Sequence, residues 1–484
     1  MKRMSYTSLD QRLYADCLPR KPEQAEMVIY NKRLGDKLGI DRLYESLSEL
    51  TAVFSGQMPF EDTAPIAQAY GGHQFGYFTI LGDGRAHLIG EIKMPDGQIA
   101  DCMLKGSGET PYSRNGDGLA ALGPMLREYI ISEAMDALLI PTSRSLAVVA
   151  TKETVYREKP VNGAILTRIA ASHIRVGTFQ YAAILQDTDV LKGLADYSIN
   201  RHYQSETEQA DVYKESKYLT FFRAVLNRQA KLITRWLAVG FIHGVMNTDN
   251  MAISGETIDY GPCAFMNTYN PKTVFSSIDT RGRYAYDNQS YIAKWNLARL
   301  GETLLPIIDD DQNKAVEGVN RVLAEFDLVF AQAYAKEMGA KLGFGEPHED
   351  DDQLISKLFH WMEQYQADFT DTFRDLSLGE VNKLPFYQNS DFEAWHAQVM
   401  QRQMQSHTSR FQVEKAMRSV NPAFIPRNHL VEEALLFAAE KNEMDNFHKL
   451  LKLVLNPFAY TNEQLAYRPP AEGYDENYKT YCGT

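Results

Sequence analysis

The 484-residue chain holds only four cysteines, Cys17, Cys102, Cys263 and Cys482. They lie far apart, with no Cys-x-x-Cys pair and no Cys/His cluster at zinc-ligand spacing, which excludes a disulfide scaffold and a zinc finger. Such usage suits a reducing compartment and predicts a cytoplasmic protein. Long apolar runs are lacking too: nowhere do about 18 apolar residues follow one another, so no membrane span is expected. The opening residues, MKRMSYTSLD, turn polar where a signal peptide needs an apolar stretch. Positive charge is scarce, with 50 Lys and Arg against 63 Asp and Glu and a net charge of −13. Broad nucleic-acid binding requires a basic footprint and is not expected, whereas a local basic pocket for a small phosphate ligand stays compatible. No repeat of fixed period and no low-complexity tract is visible.

What is present is ordinary globular protein: 44% hydrophobic and 23% charged residues, with 31 Gly and 19 Pro. At roughly 150 residues per domain the length suggests two or three domains. Up to about Thr151 the chain is rich in Gly and short strand-like runs. From about Ala164 to Ile308 strands and helices mix, and beyond Asp309 helical periodicity takes over. There, Val316, Val319, Leu323, Phe326 and Phe330 make one apolar stripe, and Leu354, Leu358, Trp361, Tyr365, Phe369 and Phe373 make another. Both read as core packing. Ser390 with Glu393 fits a capping box. The acidic run Glu346 to Asp352 lacks the alternating acids and central Gly of a calcium loop, and reads as a solvated loop leading into a helix.

Four stretches carry chemistry. From Ala69 to Ile92, alternating residues around Gly82-Asp83-Gly84 predict a β-hairpin with a glycine turn. Gly82 and Gly84 would let backbone amides approach a phosphate, and Arg85 adds a fixed charge; a plain tight turn explains the same residues. Next, Lys105 ends a short apolar strand, a glycine-rich loop follows, and a helix from Leu119 to Leu139 contains Glu128. A strand Lys with a helix Glu matches the ion pair that positions phosphates in kinase-like enzymes. Arg168 and Arg175 then flank the end of an apparent strand, able either to clamp a terminal phosphate by forked hydrogen bonds or to form structural salt bridges.

The sharpest stretch runs from Gly240 to Pro262. Asn250 and Asp259 offer hard oxygen ligands suited to Mg²⁺. Asp249 beside them is placed to accept a hydroxyl proton. His-Gly, then Asn, then Asp-aromatic-Gly follows the order of a kinase catalytic loop and metal motif. Val245, however, stands where a kinase carries its catalytic Asp, and a valine takes no proton. Either the protein only binds ATP, or Asp249 serves as base in a rearranged site.

The stretches YGGHQFG, LGDGRA, LKGSG, HGVMNTDN and IDYGP, in order between about Ala64 and Pro306, closely resemble the selenoprotein O (YdiU) family of pseudokinase-fold protein adenylyltransferases. NPAFIPRNHLVEEAL also looks like family sequence. The resemblance implies ATP bound in an orientation flipped relative to kinases, and AMP transferred to protein hydroxyls. It further implies that Gly82, Gly84 and Arg85 belong to the nucleotide loop, and that Lys105, held by Glu128, contacts phosphate. Asp117 and Gly118 would close on the nucleotide, and Arg168 and Arg175 would hold the outer phosphates. Asp249 would be the general base, with Asn250 and Asp259 on the metal, Mg²⁺ or Mn²⁺. Cys482 has a tail position resembling that of selenocysteine in some members, where a reversible disulfide is conceivable; Cys263 is a partner only by proximity to the site.

The expectation is thus an α+β, protein-kinase-like two-lobed fold. Residues 1–60 form an N-terminal extension, 61–163 an N-lobe, 164–308 a C-lobe with the metal site, and 309–484 a helical region ending in the redox-type Cys tail. The expected function is AMP transfer from ATP to Ser, Thr or Tyr hydroxyls of proteins, with release of pyrophosphate and with neither nucleic acid nor membrane as partner. A divergent phosphotransferase and a catalytically inactive ATP-binding scaffold are the alternatives.

Overall fold

Among the described residues, nine strands fall in the first 170 positions, where β-branched and apolar residues alternate between turn signals. They are β1 (Tyr14–Asp16), β2 (Glu26–Tyr30), β3 (Ile66–Gln68), β4 (Gly71–Gln74), β5 (Tyr77–Ile80), β6 (Ala86–Lys93), β7 (Ile99–Lys105), β8 (Arg144–Tyr156) and β9 (Pro160–Ala170). The computed structural model describes residues 3–94, 97–208, 215–467, 469–470 and 473–481. Seven strands form one antiparallel sheet in the order β1-β3-β6-β7-β9-β8-β2, while β4 and β5 pair apart as a hairpin. Segments before residue 61 are integral to it, since they supply both outer strands, β1 and β2. The architecture is α+β.

The period of two gives the sheet two apolar faces. Cys102 and Leu104 of β7 look outward with Leu146, Ile165 and Ile169, and the helices Lys32–Leu38 and Leu47–Phe54 cover them with Leu34, Leu50, Val53 and Phe54. Met103 looks inward with Leu88, Val148 and Leu166, onto Met125, Leu126 and Ile130 of the helix Leu122–Ala137. That inner core runs on into the helical part, built around Lys217–Ala238, Gln289–Ile308 and Gln312–Lys341. Beyond Asp309 the described residues contain helices and no named strand, as the periodicity predicts. No helix among the described residues is long and apolar enough to cross a membrane.

Several local expectations are corrected. The hairpin turn lies at Phe75-Gly76, both at positive φ, and Gly82-Asp83-Gly84 forms the link from β5 to β6 instead. The stripe from Leu354 to Phe373 is two helices, Asp351–Gln364 and Phe369–Leu378, because Gln366 turns to φ 52° and Asp368 caps the second by accepting the amide of Asp371. Val316 sits on the outside of its helix, 38% exposed, while Val319 and Phe326 are buried. Asn389 rather than Ser390 caps the helix Ser390–Gln403, accepting the amide of Phe392. The acidic run is not wholly solvated: Asp351 is buried and takes the Arg402 guanidinium through both oxygens, at 2.7 and 3.0 Å.

Lys341, at the end of the helix Gln312–Lys341, is buried with its ammonium 4.1 Å from the Phe373 ring. Burial, only partly opposed by Glu337, lowers its pKa from 10.5 to about 7. Between those values the unfolded chain holds a proton that the folded chain lacks. Stability should therefore rise with pH across this window, by up to about 1.4 kcal/mol per pH unit. Urea unfolding between pH 7 and 9 should show this slope in the wild type and lose it in Lys341→Met, which should also be more stable at pH 7.

Candidate active site

The sheet register sets the first half of the site. Lys105 of β7 pairs with Leu166 of β9, and Arg168 pairs with Met103, so Lys105 and Arg168 emerge on the same inner face two positions apart. Glu128, buried on the helix beneath, accepts a 2.7 Å hydrogen bond from Lys105 Nζ and a 2.8 Å bond from Arg168 Nε. The second carboxylate arrives from a loop: Asp259 Oδ1 takes Lys105 Nζ at 2.8 Å and Arg168 Nη2 at 2.5 Å. Asp259 itself holds a left-handed backbone, φ 64°, rare outside glycine and common at functional turns. Burial would raise its pKa, but Arg168, Lys105 and Arg175 outweigh that and hold the carboxyl well below the usual range. Glu128 is held low in the same way, by Arg168 and Lys105 against burial.

Arg175 precedes the helix Val176–Ile184 and completes the cationic group. Its guanidinium lies 4.2 Å over the Tyr70 ring, 3.4 Å from Asp83 Oδ1 and 3.5 Å from Asp259 Oδ2. Its Nε is buried with no hydrogen-bond partner. Asp83 is a site residue that sequence reasoning passed over: it sits between the two glycines that drew attention, buried, and steers Arg175 from 92 positions away. Gly82 and Gly84 flank it, and the Asp83 carbonyl is tied down by Thr110 Oγ1 at 2.7 Å. Arg85 lines the same cavity.

Gly118 must be glycine: at φ 68° it presses on Gly108, whose carbonyl carbon lies 2.1 Å from where a Cβ would stand. Asp117 beside it binds Arg157 at 2.7 Å, and that hydrogen bond lowers the Asp117 pKa. Arg157, also missed from sequence, lines the cavity with Asp117.

The loop after the short strand Phe241–Ile242 carries the second half. His243 is buried, stacked on Trp236 and bonded to the Ile258 carbonyl, so it is a structural residue. Asn250 Nδ2 donates to the Val245 carbonyl at 2.9 Å, which leaves its oxygen as the group available to a ligand. Asp249 is buried and its Oδ1 has no hydrogen-bond partner. Desolvation pushes its pKa up to about 6, with Asp259 adding and Arg175 and Arg114 opposing. The backbone of β4 lies directly on it: a Cβ at Gly72 would stand 2.2 Å from Asp249 Oδ1.

Lys105, Arg168, Arg175, Asp117, Gly118, Asp249, Asn250, Asp259 and the Gly82–Arg85 segment thus line one cavity of about 740 Å³, with Glu128 just behind it. Its size suits a nucleotide. A larger cavity of about 1110 Å³ opens between the segment Asn267–Val274 and C-terminal residues from Tyr365 onward, and shares no lining residue with this site. Cys482 lies outside the described residues; Cys263 is buried, its carbonyl accepting from Arg127 Nη2 at 2.7 Å.

Residues 3–455 match the family model described as protein adenylyltransferase SelO. Among curated relatives, the protein nucleotidyltransferase YdiU of Brevibacillus brevis is 51% identical over 482 residues, covering 99% of this chain and 97% of the relative. Those of Geobacillus kaustophilus and Syntrophotalea carbinolica are 49% and 51% identical, each over 99% of this chain and over 98% and 96% of their own lengths. A match of this extent, with the predicted residues gathered round one cavity, means that the chain belongs to the SelO family of protein adenylyltransferases.

Proposed function

We propose that the cavity binds ATP with its outer phosphates on Lys105, Arg168 and Arg175, and that Asp249 deprotonates a Ser, Thr or Tyr hydroxyl of an acceptor protein for attack on the α-phosphorus. The new bond joins the acceptor oxygen to that phosphorus. The bond to the bridging oxygen breaks, and pyrophosphate leaves with the charge that it gains. Three cations at one end of the cavity favour that departure, because developing negative charge is stabilised most by fixed donors away from bulk water. The observation that carries the reading is the pairing, round one cavity, of this cationic group with a buried carboxylate, Asp249, whose Oδ1 has no hydrogen-bond partner.

In this reading residues 61–163, with the inner strands of the sheet and the helix Leu122–Ala137, and the segment holding the Asp249 loop (164–308) act as the two lobes of a kinase-like fold. Residues 1–60 complete the first lobe with its outer strands and covering helices, and residues 309–484 are built onto the second. Val245 occupies the place of a kinase base, lines the cavity and is apolar, which favours nucleotidyl over phosphoryl transfer. Asn250 and Asp259 would hold Mg²⁺ or Mn²⁺; no cluster of three His, Cys, Asp or Glu is found among the described residues, and phosphate oxygens and water would fill the rest of the shell. The metal would supply positive charge to the phosphates. Asp117 positions Arg157, and Glu128 and Asp83 position the cations that grip the nucleotide.

Incubating the protein and a generic acceptor protein with Mg²⁺ and ATP labelled on the α-phosphate, beside a γ-labelled sample, tests this directly. Label retained from the α-position alone is expected. Retention from the γ-position alone would mean an ordinary kinase orientation and would overturn the roles given to Asp249 and the arginines.

A further inference from the structure

The β4–β5 hairpin is unusual for a surface element. Its inner strand is fastened to the Asp249 loop, with the His73 amide donating to Thr248 Oγ1 at 2.7 Å and the Phe75 amide donating to Asn247 Oδ1 at 3.1 Å. Its outer strand has no strand neighbour among the described residues, where this sheet consists of β4 and β5. The register pairs Gln74 with Tyr77 across the two-residue turn, so the amides and carbonyls of Phe78 and Ile80 point away from β4. Tyr77, Phe78 and Ile80 are 81%, 39% and 56% exposed. A bare edge with three exposed apolar side chains is a template for adding a strand.

The same wall continues into a cationic patch. The His73 ring lies 5.3 Å from Phe78 and 5.3 Å from Trp295. Trp295 is flanked by two guanidinium groups, Arg283 at 4.8 Å and Arg299 at 5.0 Å. Arg299 is neutralised by Glu302. Arg283 forms no ion pair among the described residues, and its Nε is buried without a hydrogen-bond partner. Asp279 accepts the main-chain amide of Arg283 at 2.9 Å and not its guanidinium; in a chain with a net charge of −13, a guanidinium held on aromatic rings with no ion pair among the described residues points to an anionic visitor. The patch is joined to the site: Tyr284, next to Arg283, donates its hydroxyl to Asn247 Oδ1 at 2.5 Å, two residues before Asp249.

We propose that this wall docks the acceptor protein through an extended acidic segment. The segment adds as a third strand to the outer edge of β5, and an Asp or Glu side chain near its hydroxyl-bearing residue lands on Arg283. The edge supplies sequence-tolerant main-chain hydrogen bonds, and Arg283 supplies the charge preference. The inference rests on the AMP-transfer reading for its purpose, so binding and transfer are measured separately.

Two fluorescent peptides, identical around one Ser but flanked by Glu or by Lys, are titrated into the full chain, and transfer from α-labelled ATP is followed in parallel. The Glu peptide should bind about tenfold more tightly, and Arg283→Glu should reverse that preference while ATP affinity stays at the wild-type value. Arg283→Lys should keep the preference, and Arg283→Gln should abolish it. N-methylation of alternate backbone amides should weaken the Glu peptide about tenfold, since it removes donors to the edge. Equal affinity for both peptides, an unchanged preference in Arg283→Glu, or indifference to N-methylation overturns the docking surface. If the preferences appear but no label is transferred, docking stands and the AMP-transfer reading falls.

Discussion

Replacing Asp249 by Asn is expected to lower AMP transfer about a thousandfold, within the range that a positioned proton acceptor supplies, while ATP affinity changes little. The two side chains have the same shape, so the contact with Gly72 and the packing of β4 survive; what is lost is the capacity to take a proton. The unpartnered Oδ1 makes this a sharp test. No hydrogen bond inside the protein depends on that atom, so the substitution breaks nothing structural at Oδ1, and any loss belongs to the reaction. Asp249→Ala should lose as much. Full transfer by Asp249→Asn, read from α-labelled ATP, would place the base elsewhere in the cavity.

The second large effect is on stability. Glu128 is buried and shared between Lys105 and Arg168, the latter also buried. Glu128→Ala leaves two cations with Asp259 as their common counter-charge, and removing one partner from a buried ionic cluster costs about 3–5 kcal/mol. The melting temperature should fall by about 3–5 °C. Saturating ATP should return part of the loss, because ligand bound only to the folded state stabilises it by mass action and phosphates supply the missing negative charge. A melting temperature equal to the wild type, with or without ATP, would show that Asp259 alone suffices.

Much of the site was legible because its chemistry is written in residue types at short range. A strand-end Lys105 with a helical Glu128, an Asp249-Asn250 pair, and Asp259 before an aromatic and a glycine each carry a distinct spacing. The helix beneath the sheet was expected from Leu119 to Leu139 and spans Leu122–Ala137. What sequence could not supply were partners brought from afar. Asp83 looked like turn chemistry because its partner, Arg175, is fixed by the fold and not by proximity in the chain. The hairpin was misplaced for a similar reason. Gly76 and Gly82 are both credible turn residues, and the choice is made by Asn247 and Thr248, which take the amides of β4 and its turn. Arg168 left two readings open, and its ion pairs with Glu128 and Asp259 do not choose between them, since a phosphate clamp in waiting is held by carboxylates too. The long apolar stripe after Leu354 read as one helix because the periodicity survives the break at Gln366 in register.

The place of β2 on the rim of the sheet bears on how the molecule is made. Its partner is β8, Glu26 facing Ala150, and five strands are synthesised between the two. At ribosomal rates of about 5–20 residues per second, β2 leaves the exit tunnel roughly ten seconds before its neighbour does. Throughout that interval the nascent chain displays Met27, Val28 and Ile29 with no sheet to receive them. The strand emerging among the first is among the last to find its seat, so the stage of biosynthesis most in need of a chaperone is set by the sheet's own strand order.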